Sequence, residues 1–109
     1  MDLWREIEHT RRLLAKGITE MKERGQAFAK AERDYKMKQA EKILMLKADG
    51  FPATLIRDVV KGDKEVATLR FERDIAGYSY ETCKEAINVY KRDLTTLENQ
   101  HSREWGQAK

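Results

Sequence analysis

An all-α fold, a long antiparallel helical hairpin with a short helix at its turn, is predicted by three observations. The first half carries an apolar residue every seventh position, at Ile7, Leu14, Met21, Phe28 and Tyr35. The second half carries a matching series in which Tyr80, Ile87 and Leu94 alternate with Ala76, Cys83, Tyr90 and Leu97, the three-and-four spacing of a coiled-coil seam. The only proline, Pro52, sits in GFPATLIRDVVKGD, where helix-breaking residues cluster between two stretches rich in Ala, Glu, Lys, Arg and Leu. Two amphipathic segments separated by one turn make a hairpin.

Three helices follow: a long one over about 2–48, a short one over about 53–61 and a second long one over about 64–105, all within a single domain covering 1–109. Gly50 suits the residue just beyond the first helix, where a left-handed backbone is easiest without a β-carbon. Gly62 is expected to end the short helix in the same way, and Asp63 to cap the next one. Gly17, Gly25 and Gly77 lie inside the long helices, where each costs up to about 1 kcal/mol relative to alanine unless packing requires it. If the chain turns near Ile56, size complementarity pairs Gly25 with Ile87, Phe28 with Cys83 and Tyr35 with Ala76. The same register sets Trp4 beside Trp105, Glu32 opposite Tyr80, and Gln39 opposite Arg73.

A second apolar stripe runs along each leg near the turn, through Met37, Ala40, Leu44 and Phe51 and through Phe71, Ile75 and Tyr78. One seam cannot bury two stripes, and the short helix with Leu55, Ile56, Val59 and Val60 covers only part of the surplus. A homo-oligomer, most simply a twofold dimer forming a helical bundle, is therefore expected, with Leu44, Phe71, Ile75 and Tyr78 at the interface. Trp4 and Trp105 are further candidate anchors for a protein partner.

Charged residues make up 38% of the 109, against about a quarter in an average globular chain. Both signs are mixed throughout, as on the solvated faces of long helices. The net charge is +3, and the excess lies in residues 1–48, which hold 12 Lys and Arg against 8 Asp and Glu. Lys30, Arg33, Lys38 and Lys42 on that leg are candidate contacts for a polyanion, although Glu32, Asp34 and Glu41 lie among them as they would on a simply solvated face. The polar rungs admit two readings: a layer that sets register, as buried polar residues do in coiled coils, or a binding cleft lined by Glu32, Arg73 and Tyr80.

The ingredients of catalysis are poor. Cys83 is the only cysteine, which excludes an intrachain disulfide and fits a reducing compartment. Its seam position suits a small hydrophobe rather than a nucleophile. His9 and His101 fall near the open end with Glu6, a weak outline for a metal, so neither a metal nor catalytic residues are expected. There is no glycine-rich phosphate loop and no strand to precede one, so no cofactor is expected. A helix-turn-helix reader is disfavoured because Asp58 and Lys61 fall where that motif packs small or apolar side chains. Charges interrupt every apolar stretch, so neither a signal peptide nor a membrane span is expected, and the cytoplasm is the expected location.

The segments GFPATLIRDVVKGD, ERDIAGYSYETCKEAINVYK and LENQHSREWG together resemble uncharacterised small helical proteins encoded by temperate phages and prophages of Gram-positive bacteria. That resemblance implies an accessory role in replication, recombination or antagonism of host defence, and carries over no catalytic residue. Likeness to the helical-hairpin substrates of type VII secretion extends to length and topology only, since those carry Trp and Gly in the turn where this chain has Phe51 and Pro52. The expectation is a non-catalytic interaction protein that binds a host or phage macromolecule. The alternatives are a sponge or receptor for a small anionic ligand such as a signalling nucleotide, and a nucleic-acid-binding accessory factor.

Overall fold

The computed structural model describes residues 2–108, and among these the chain forms three α-helices and no strand. They are α1 (Leu3–Ala48), α2 (Ala53–Gly62) and α3 (Lys64–Ala108). The long helix α1 packs against the long helix α3 with α2 between them in the chain, so the fold is the helical hairpin that the two seams predict. No helix among the described residues is long and apolar enough to cross a membrane.

Local chemistry sets each boundary. Asp2 accepts a hydrogen bond from the Trp4 amide at 3.0 Å and so caps α1. At the other end Gly50 adopts φ +81°, its amide reaches the Lys47 carbonyl at 3.1 Å, and the Phe51 amide reaches Leu46 at 3.1 Å. Those two bonds satisfy carbonyls that the last turn leaves unpaired, and only a residue without a β-carbon adopts that backbone freely. Pro52 then starts α2 with the fixed φ and missing N–H that a first turn tolerates.

The end of α2 corrects the expectation for Gly62. It remains helical, and Asp63 follows in an extended conformation with φ −62° and ψ 132°. The Asp63 carboxylate accepts from the amides of Glu65 at 3.0 Å and Val66 at 3.1 Å. One residue therefore terminates α2 and caps α3, which accounts for the absence of any looser connection between them.

Contacts divide the chain into two compact units, one spanning Arg24–Ser79 and the other joining α1 up to Glu23 with α3 from Tyr80 onward. In the first, Ile56 and Val60 lie four apart on one face of α2 and pack with Val66 of α3, which is fully buried. Tyr35, Ile43 and Leu46 of α1 close over this cluster. Farther from the turn in the same unit, the Phe28 ring lies on Gly77, where an added β-carbon would meet Cε1 at 3.1 Å. In the other unit Ile7, Cys83 and Ile87 are buried with Thr10 and Gly17. A β-carbon on Gly17 would meet Ile87 Cγ1 at 3.2 Å, and the Cys83 thiol donates to the Gly17 carbonyl at 3.5 Å.

These contacts correct the expected register. Ile87 faces Gly17 rather than Gly25, Cys83 bonds to Gly17 rather than packing on Phe28, and Phe28 faces Gly77. Tyr35 has the Arg73 guanidinium 4.5 Å from its ring centroid in place of Ala76. Trp4 lies 6.1 Å from the His101 ring, not against Trp105. The Gly17–Ile87 and Phe28–Gly77 pairings differ from expectation by eight and six residues, about one heptad, and the reason is degeneracy: sliding a seam by seven residues returns every apolar position to the same face. Gly17 and Gly77 then offset their helix cost by giving room to a β-branched side chain and to a ring.

Three substitutions test this packing. Ile87→Ala is expected to cost about 2–5 kcal/mol of unfolding free energy, because a nearly fully buried isoleucine leaves a cavity. Gly17→Ala gains helix propensity but must displace a stiff, buried Ile87, and is expected to lower the melting temperature. Gly62→Ala meets nothing within 4 Å and should stabilise by about 0.4–1 kcal/mol. Equal stabilisation by both glycine substitutions in thermal melts would refute the close Gly17–Ile87 contact.

Candidate functional site

The cations expected to meet a polyanion lie on α1 within the Arg24–Ser79 unit, and most are held by carboxylates. Lys38 Nζ is 3.1 Å from Glu41 and 3.3 Å from Glu65, while Lys42 Nζ is 3.6 Å from both Asp63 and Glu65. Arg33 pairs with its neighbour Asp34 at 3.2 Å, and Lys30 is exposed. Hydrogen bonding to Glu41, then to Glu65, holds the Lys38 ammonium above the usual lysine pKa. Glu65 is correspondingly lowered, chiefly by its bond to Lys38. Asp63 is lowered most by the Val66 amide, with Lys42 adding to the effect. The first turn of α3 is thus tied to α1 by two lysines, an arrangement that a nucleic-acid phosphate would have to compete with.

Of the three residues read as a cleft, Glu32 and Arg73 are brought together at 3.5 Å. Arg73 is heavily engaged: Asp74 lies at 2.9 Å, the Tyr35 ring lies beneath its guanidinium, and Asp74 above all raises its pKa. Tyr80 belongs to the other unit, where Lys84 Nζ stands 5.3 Å from its ring centroid. Gln39 donates to the Tyr35 hydroxyl at 3.4 Å.

The outward apolar residues are placed as free surface. Leu44, Phe71, Ile75 and Tyr78 are exposed by 66%, 65%, 51% and 69%, and Met37 is similarly open. Helical geometry sets Met37 and Leu44 on the side of α1 facing away from its seam, and Phe71, Ile75 and Tyr78 on the corresponding side of α3. Leu55 and Val59 add an outward edge on α2. In the other unit Trp4 and Trp105 are also largely exposed, with Arg11 5.7 Å from the Trp4 ring centroid and paired to Glu98 at 3.0 Å.

Two concavities among the described residues bear on function. One, of about 510 Å³, is lined by Arg5, Glu6, His9, Thr10, Asp93, Thr96 and Leu97 in the unit containing the helix ends. It mixes both charge signs, and among the described residues no three His, Cys, Asp or Glu side chains gather to hold a metal. The other, of about 440 Å³, lies between α2 and the long helices of the Arg24–Ser79 unit, with Lys47, Arg57, Lys61 and Arg70 on its walls. This cluster was missed by reading the sequence because its members come from three helices. Only Arg57 and Lys61, four apart on α2, carried a local signal. Comparison of the chain with family models, with curated proteins and with solved structures finds no match.

The cap at Asp63 yields a pH prediction. Its pKa is lower folded than unfolded, so its contribution is full at neutral pH and is lost as the pH falls below the ordinary 3.8 and through the lowered folded value. Asp63→Ala should therefore lower the melting temperature at neutral pH and have little further effect in strong acid. Asp63→Asn, which keeps the cap but not the lysine pairs, should fall between the two in melts followed by circular dichroism.

Proposed function

We propose that this chain is a non-catalytic interaction protein that self-associates through its outward apolar stripes and presents the resulting helical assembly to a macromolecular partner in the cytoplasm. The observation that carries the reading is the exposure of Leu44, Phe71, Ile75 and Tyr78, spaced as a second seam on helices whose first seam is already used. Large apolar side chains repeated at three and four residues are a costly surface for a lone hairpin to keep wet. The core supports the same reading: among the described residues the buried apolar set is Ile7, Ile56, Val60, Val66, Cys83 and Ile87, a thin interior for a chain of this size, and burying a second stripe against another copy would supply what is lacking.

The resemblance to phage and prophage proteins makes the further partner a host or phage macromolecule, with interference in host defence one such role. Trp4 and Trp105, exposed and outside the apolar stripes, are the aromatic side chains proposed to anchor it. Nucleic acid is the less favoured partner, because Lys38 and Lys42 already carry carboxylate partners.

Sedimentation velocity at micromolar concentration is expected to give a dimer or larger species. The double variant Leu44→Glu/Phe71→Glu should sediment as a monomer with unchanged helicity, since both positions face solvent within one chain. A wild-type protein that stays monomeric across this range would overturn self-association.

A further inference from the structure

The cleft between α2 and the long helices gathers cations from three helices without an acid. Several cations elsewhere are paired: Arg11 with Glu98, Lys36 with Glu32, Lys38 and Lys42 with Glu65, Arg73 with Asp74. Around the cleft Lys47 from the last turn of α1, Arg57 and Lys61 from α2, and Arg70 from α3 converge, and no carboxylate is among the lining residues. Among the described residues none of these four is ion-paired. Arg70 is the deepest of them. Its Nη2 donates to the Lys61 carbonyl at 3.2 Å, while Nη1 is buried without a hydrogen-bond partner. A buried guanidinium nitrogen with an unused donor is costly, and because solvent does not reach Nη1 an acceptor in the cleft meets it only when the Arg70 side chain turns outward.

The remaining wall is apolar or weakly polar, built from Tyr35, Ile43, Ala53, Ile56 and Val60, with Gln39 beside them. The volume, about 440 Å³, lies in the range of small-molecule sites. A bare inorganic ion would leave those walls wet, and a long polyanion would not enter a space of that size. We propose that the cleft binds a small phosphate monoester with a planar or apolar body: the phosphate takes Arg70, Arg57 and Lys61, whose forked and point donors suit its oxygens, and the body lies along Tyr35, Ile43 and Ile56. This site lies within one chain and does not depend on self-association.

Isothermal titration calorimetry on the full chain at low salt tests it, with adenosine monophosphate as the probe and adenosine, inorganic phosphate and glycerol phosphate as comparisons. Adenosine monophosphate should bind at least about tenfold more tightly than adenosine, as one charge-assisted hydrogen bond implies, and more tightly than either of the other phosphates. Arg70→Gln should weaken binding by about tenfold or more. Should that variant lose helicity, Arg57→Ala/Lys61→Ala, at exposed positions, carries the test and should weaken binding likewise. Adenosine binding as well as its monophosphate, inorganic phosphate or glycerol phosphate binding as well as adenosine monophosphate, no detectable binding of the monophosphate, or affinity unchanged in the double variant would each overturn the proposal.

Discussion

A heptad seam has no unique register of its own, because a slide of seven residues returns each apolar side chain to the face it left. What stops the slide here is the room left by missing β-carbons. Gly17 admits Ile87 in one unit, and Gly77 admits the Phe28 ring in the other, each so closely that an added β-carbon would stand 3.2 and 3.1 Å from it and force it to give way slightly. A register shifted by a heptad would still offer Ile87 a glycine, Gly25, but would set the Phe28 ring against the side chain of Cys83. The cost of placing glycine inside a helix, about 1 kcal/mol at each site, is thereby offset by a close approach that alanine would oppose. The ion pairs and rings that line each pairing, Arg11 with Glu98 and Arg73 with Tyr35 among them, follow from the same alignment.

At the turn a different constraint operates. Asp63 ends α2 and caps α3, so the two helices meet with a single residue between them, and Ile56 and Val60 are delivered onto Val66, Tyr35, Ile43 and Leu46. Asp63 and Glu65 also meet Lys42, and Glu65 meets Lys38. Acidic side chains at a helix N-terminus are favourable in themselves, and here they also neutralise the lysines opposite. α2 consequently divides the basic residues of this unit into two populations. Lys38 and Lys42 beside the α3 N-terminus are matched by carboxylates, whereas Lys47, Arg57, Lys61 and Arg70 around the cleft are not, and this second set retains a field able to concentrate an anion.

The apolar surface divides in a similar way. Each long helix buries one stripe and keeps part of another in water, and the exposed part is concentrated in the Arg24–Ser79 unit on the sides of α1 and α3 remote from their seams. A stripe at seam spacing on the outside of a helix has the geometry required to pack against a further helix. The cleft and the stripes therefore offer distinct chemistry, one charged and concave, the other apolar and convex, and neither requires the other.

The sequence by itself determined the fold class and the helices, because seam periodicity, Gly50, Pro52 and Asp63 act through residues near them in the chain. It also identified the outward stripe, since Phe71, Ile75 and Tyr78 share a helical face whatever the partner. Only the tertiary structure decided the register, because periodicity repeats and the steric fit of Gly17 and Gly77 depends on side chains some 50 to 70 positions away. It alone decided the fate of the charges. Along α1 Lys38 has Glu41 for a neighbour and Lys42 looks free, yet both meet acids from beyond the turn, while Lys47, Arg57, Lys61 and Arg70, scattered over three helices, converge on a cleft without one. Backbone preference is a local property; pairing and enclosure belong to residues that folding brings together.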